Sequence, residues 1–254
     1  MARFVRILVT PYLAGYGAKL GTATRHGRFL TSSSKELFMD VRKFTAAAWL
    51  PAPDTVEAHE HGWAAVEHWI REQEKVAGAP SVLLTCDFQV DDHGLLGTYR
   101  RGSTHYSAKA GGPPSSGPVF VYNPTRRALR AAHDMARSAI CVWEHPSDPV
   151  LGWAGQVYAV DLVTGQPTRP AAALAEHLDR LLLAGNNGYA DRPGERDARR
   201  ILVELREADL LGEDIPGALA AYEDISVEAQ KRIVGFIDRL RPAHKPFSAD
   251  VKDL

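Results

Sequence analysis

The sequence predicts an α/β fold: a mixed, mainly parallel sheet of about five strands flanked by helices and followed by a helical C-terminal region. Three observations predict it. Five short runs rich in β-branched and aromatic residues alternate with stretches of helical periodicity. One of them, PVFVYNP, passes through a helical pattern into the next, AICVWEH, with connections short enough to argue for a parallel crossover. From Pro170 onward every hydrophobic pattern is helical.

The first strand-like run is RFVRILVTPY. After a serine run, Leu37, Val41, Phe44 and Ala48 recur at helical spacing until Pro51 and Pro53 end the segment. Asp54 and Thr55 cap a second helix, on which Val56, His59, Trp63, Val66 and Ile70 make one stripe and Glu57, Glu60, Glu67, Arg71 and Glu74 the opposite one. SVLLTCDFQV is the second strand. The DDHG that follows, set between apolar runs, reads as a hairpin turn and makes the expected sheet mixed. Residues 100–118, RRGSTHYSAKAGGPPSSGP, have no hydrophobic period and read as a mobile loop. PVFVYNP, a helix from about Thr125 to Ser138, and AICVWEH come next. QVYAVDLV is the fifth strand, with a helical reading of GWAGQVYAV as the alternative.

Beyond Pro170, Leu174, His177, Leu178, Leu181 and Leu182 mark one helix that Gly185 closes. Ala198, Ile201, Leu202, Leu205 and Ala208 mark a second. Ser226 caps a third, which carries Ile233, Val234, Ile237 and Leu240 and stops before Pro242. The expected organisation is therefore an α/β domain over 1–168, a helical region over 169–242 and a flexible tail over 243–254.

A chain of 254 residues buries enough surface to fold without disulfides or a structural metal. Both cysteines, Cys86 and Cys141, sit in apolar runs and read as buried thiols of a reducing compartment; a nucleophilic thiol is the alternative, but neither has a basic neighbour in sequence to activate it. No leader is expected in MARFVRILVTPY, and no eighteen uncharged apolar residues run together. The expected location is cytoplasmic, with no membrane partner. Net charge is −1, but residues 1–130 hold 16 Lys and Arg against 11 Asp and Glu, and the remainder 14 against 20. This directs an anionic ligand to the first half, with an accident of surface composition as the equal alternative.

The most informative segment is VFVYNPTRRALR. Asn123 or Thr125 caps a helix whose first turn holds Arg126 and Arg127, where the helix dipole already disfavours positive charge. A bound phosphate or carboxylate relieves that; carboxylates of the chain itself, or solvent, are the alternatives. In open α/β sheets ligands bind beyond the carboxyl ends of the strands. That rule gathers Thr10 and Tyr12, Asp87, Asn123, and Glu144 with His145, of which Asp87, Glu144 and His145 are the acid/base candidates. Adjacent residues on an extended chain point to opposite faces, so only one of Glu144 and His145 enters such a site, and an ordinary surface turn around EHPSDP is the favoured alternative. Arg100, Arg101 and Lys109 add cations for ligand binding from the 100–118 loop.

Other constellations are weaker. Asp87, Asp91, Asp92 and His93 match no Ca²⁺ loop and read as turn chemistry, and His59, His61 and His68 lack zinc spacing, so no metal is expected. Ser32 and Lys35 satisfy S-x-x-K, but the companion S-D-N is absent. No Walker loop, G-x-G-x-x-G, G-x-S-x-G or C-x-x-C occurs, and the sequence specifies no cofactor.

Three functional readings follow. The first is binding of a phosphate-bearing small molecule or nucleotide at Arg126 and Arg127, with or without catalysis. The second is a regulatory protein whose acidic C-terminal helices meet a protein partner. The third, less favoured, is nucleic-acid binding by the basic half, with Tyr99 and Tyr106 to stack bases. Nine basic against twelve acidic residues over 190–242 disfavour nucleic-acid binding by the C-terminal helices.

Overall fold

The computed structural model describes residues 44–86, 94–211, 214–222 and 225–240. Among the described residues six strands form one sheet: β1 (Ala46–Leu50), β2 (Val82–Thr85), β3 (Thr104–Ser107), β4 (Val119–Tyr122), β5 (Ala139–Trp143) and β6 (Val160–Asp161). Their spatial order is β3-β2-β4-β5-β1-β6, and every pairing is parallel. The expected α/β class therefore stands, while the antiparallel component expected from DDHG has no counterpart among the described strands.

Side-chain alternation along the strands builds two cores. On one face Leu83, Phe120, Cys141 and Trp143 meet Trp63, Val66 and Ile70 of α1 (Val56–Ala77), with Tyr99 of α2 (Gly94–Gly102) packed beside them. On the other face Leu84, Val121, Ile140 and Val142 share a cluster with Leu129 and Ala132 of α3 (Arg126–Met135) and Trp153 of α4 (Leu151–Gln156). The C-terminal helices α5 (Ala175–Ala184), α6 (Arg192–Glu207), α7 (Ile215–Ala220) and α8 (Val227–Leu240) contribute Leu178, Leu181, Ile201, Leu202, Leu219 and Ile233 to that same cluster.

Several segments differ from their sequence reading. The spacing of Phe44 and Ala48 predicts a helix, yet residues 46–50 form a strand. AAAWL lies between β5 and β6 with four of its five residues buried, and that burial outweighs alanine's helix propensity. The run after DDHG, expected as the return arm of a hairpin, is the helix α2. The 100–118 loop contains β3, an edge strand whose THYS sequence is too polar to show a hydrophobic alternation. GWAGQVYAVDLV is both things in turn, since LGWAGQ is α4 and VD is β6. The helix α7 has no amphipathic stripe in its sequence because all six of its residues are buried. The expected first strand, the Leu37–Val41 half of the expected helix, and the tail over 243–254 lie outside the described residues. No helix among the described residues is long and apolar enough to cross a membrane.

Candidate functional site

The last residues of three adjacent strands lie in register, Tyr122 opposite Trp143 and Trp143 opposite Leu50, so the loops after β4, β5 and β1 share one edge of the sheet. Ligands of open parallel sheets bind at that edge. The helices that follow β5 and β1 pack on opposite faces, which opens a crevice between these two strands. Glu144 spans it. One carboxylate oxygen accepts from the Ala52 N–H at 3.1 Å and the other from the Val150 N–H at 2.8 Å, so both are engaged by backbone. His145 accepts from the Ser147 N–H through Nδ1 at 3.1 Å, and its carbonyl accepts from the Asp148 N–H at 3.0 Å. Together these bonds rigidify the EHPSDP turn.

Beyond β4, Asn123 adopts φ 48°, a left-handed conformation that asparagine tolerates better than most residues. Its N–H donates to the Trp143 carbonyl at 3.0 Å, and its carbonyl accepts from the Cys86 thiol at 3.1 Å. This bend delivers Thr125 as the N-cap of α3, where Oγ1 accepts from the Ala128 N–H at 3.3 Å. Arg126 and Arg127 occupy the first turn, and no acidic residue accompanies them there. The sequence reading of this segment holds in local structure.

What sequence did not reveal is the second helix that meets α3. Ser226 caps α8 by accepting from the Ala229 N–H at 3.1 Å, and residues of the first turns of α3 and α8 line one cavity of about 390 Å³. Thr125, Arg126 and Arg127 form one wall; Val227, Glu228 and Lys231 form another; Asp148 enters from the turn after β5. Lys231 and Glu228 pair at 3.2 Å, and Arg127 donates to the Lys109 carbonyl at 3.1 Å. Arg126 makes no hydrogen bond or salt bridge with another described residue. Its charge does act on Asp214. Burial pushes the Asp214 carboxyl up from its usual range, the Gly217 and Gly152 N–H groups and Arg126 draw it down, and Glu144 adds to the rise.

The remaining candidates divide by position. Lys109 follows β3 at the cavity's edge of the sheet and touches Arg127 through its backbone. Arg100 and Arg101 end α2 just before β3 begins, which puts them at the opposite edge, away from Arg126. Thr10, Tyr12 and Asp87 lie outside the described residues, as do Asp91, Asp92, His93, Ser32 and Lys35. Among the described residues no cluster of His, Cys, Asp or Glu is built to hold a metal. His59 packs its ring against Trp143 with centroids 4.7 Å apart, and His61 bonds the Glu57 carbonyl within its own helix. Cys141 is fully buried, whereas Cys86 is half-buried at the end of β2. Asp148, Lys231 and Asp214 escaped the sequence reading because nothing local marks them; only tertiary packing brings them to α3. Compared with known proteins, the chain matches no family model, no curated protein and no solved structure, so its geometry alone supports a functional reading.

Proposed function

We propose that this chain binds a phosphate-bearing small molecule or nucleotide in the cavity between the N-termini of α3 and α8. The observation that carries this reading is the convergence of two positive helix ends on one concave space that also holds Arg126, Arg127 and Lys231. Each helix end contributes about half a positive charge, and unbonded N–H groups there favour an anion. Two guanidinium groups add the planar, charge-assisted donors that suit phosphate oxygens. Within the cavity Lys231 already has an internal counter-ion, so the net attraction resides in the two arginines. The proposal stops at binding. Glu144 has both oxygens engaged by backbone, and no described group in the cavity is poised as a nucleophile.

The other two readings have less beneath them. On α5–α8 Leu183 is the one large apolar side chain exposed among the described residues, too little for an apolar docking patch. Arg100 and Arg101 stand at the far edge of the sheet from Arg126, which divides the basic residues that a nucleic acid would need together.

Thermal-shift titration with inorganic phosphate, pyrophosphate, AMP and ATP tests the proposal. Saturable stabilisation is expected from at least one of them, reaching about 2.7 kcal/mol at a hundredfold excess over Kd. The double variant Arg126→Ala/Arg127→Ala should lose it. No shift in the wild type, or an equal shift in the double variant, removes the basis of the reading.

A further inference from the structure

We infer that Asp148 is a specificity determinant of this cavity, accepting a hydroxyl of the ligand, so that the pocket takes a hydroxyl-bearing phosphate monoester in preference to a bare phosphate. The inference rests on the phosphate reading above and narrows it to a substrate class.

The charges in the cavity do not cancel by position. Lys231 and Glu228 satisfy each other at 3.2 Å. That leaves Arg126, Arg127 and Asp148 as the charged lining residues without an ion-pair partner among the described residues, and the Asp148 side chain makes no hydrogen bond with another described residue. A carboxylate on the rim of an anion site repels a bare anion. An ionised carboxylate is also an acceptor only, so its complement on a ligand is a donor. A molecule that carries a phosphate and separate hydroxyls lets the arginines hold the phosphate while Asp148 accepts from a hydroxyl; the P–OH of inorganic phosphate is a donor too, but it sits on the same small group that the arginines engage.

Size points the same way. A space of about 390 Å³ lies within the range of small-molecule sites. Sites of that size take organic ligands larger than a single phosphate. Asp148 is also held in place before any ligand arrives. Its N–H donates to the His145 carbonyl at 3.0 Å, Ser147 donates to the His145 ring at 3.1 Å, and Glu144 fixes the base of the turn through Val150 at 2.8 Å. Such preorganisation lets one hydrogen bond discriminate between ligands.

The test compares methyl phosphate with ribose 5-phosphate on the full chain by calorimetric titration. The wild type is expected to prefer ribose 5-phosphate about tenfold or more, the worth of a hydrogen bond to a charged group. In Asp148→Ala that preference should collapse towards unity, while methyl phosphate binds unchanged or tighter because a repelling charge is gone. Asp148→Asn, which keeps an acceptor oxygen without the charge, should fall between them and covers the case in which the alanine variant misfolds. Arg126→Ala should weaken both ligands together. AMP keeps the 2′ and 3′ hydroxyls but not the anomeric one, and should follow ribose 5-phosphate if either of the first two meets Asp148; whichever of the two ligands binds the wild type tighter identifies nucleotide or free sugar phosphate as the source. Methyl phosphate bound without any ribose preference, a preference that survives in Asp148→Ala, or a stronger preference for phosphoethanolamine overturns the role of Asp148 and leaves the phosphate site standing. Failure of methyl phosphate and ribose 5-phosphate alike to bind the wild type overturns both.

Discussion

Glu144 joins two loops that the sheet alone does not hold together. Its carboxylate accepts from Ala52, just after β1, and from Val150, just before α4, at 3.1 and 2.8 Å. Removing it strands two backbone donors, one of them on a fully buried residue. An unpaired buried donor costs about 1–3 kcal/mol, and water can reach the half-buried Ala52 more easily than Val150. Glu144→Ala is therefore expected to cost about 2–3 kcal/mol in urea denaturation, with Tm lower by roughly 5–10 °C. Glu144→Gln retains one acceptor oxygen and should lose about half as much. A variant as stable as the wild type would mean that the two N–H groups find other partners. At this scale the sequence showed the segment but not the task. EH at a strand end has the residue types of an acid/base pair, and only the distances reveal that both oxygens hold backbone.

Among the helices, α4 and α7 approach closely, and glycine makes it possible. A Cβ on Gly152 would fall inside van der Waals contact of the Asp214 carbonyl oxygen and 2.6 Å from the Ala218 nitrogen. Both are backbone atoms, which cannot rotate away. The same junction is tied by Asp214, whose carboxylate accepts from Gly152 at 3.0 Å and caps α7 through Gly217 at 2.8 Å. Gly→Ala inside a helix usually stabilises by about 1 kcal/mol, whereas overpacking costs about 1–3 kcal/mol and more when the obstacle is main chain. The clash wins, so Gly152→Ala should lower Tm by several degrees. Gly235→Ala on α8, where a Cβ meets nothing within 4 Å, should be neutral or stabilising and serves as the control. The longer helices were legible through their amphipathicity. α1, α3, α5, α6 and α8 each have one wet face, and their apolar spacing shows in the sequence. β1 and α7 are buried nearly throughout, β3 is polar at an edge, and none of these leaves a periodic trace.

For the molecule as a whole, one apolar cluster runs from the sheet through α3 and α4 into α5–α8, and it sets the C-terminal helices where α8 completes the cavity begun by α3. The arginine half of that cavity was readable from VFVYNPTRRALR. The other half was not, because Asp148 and Lys231 become neighbours of Arg126 only through packing over long sequence separations. The same helical layer carries two carboxylates whose acidities move in opposite directions. Burial raises Asp214 above the usual carboxylate range, and the hydrogen bonds from Arg180, at 2.5 and 3.0 Å, hold Glu204 below it. For Asp214 the folded value exceeds the unfolded one. Its contribution to stability is therefore complete below the ordinary aspartate range and is lost as pH rises through the folded value. For Glu204 the folded value is the lower, so its contribution is complete above the ordinary glutamate range and is lost as pH falls through the folded value. Urea denaturation across the acid range should show the stability of the wild type relative to Asp214→Asn growing as pH falls. Relative to Glu204→Gln it should shrink over the same titration. Parallel profiles for all three proteins would mean that neither carboxyl changes its surroundings when the helical layer docks on the sheet.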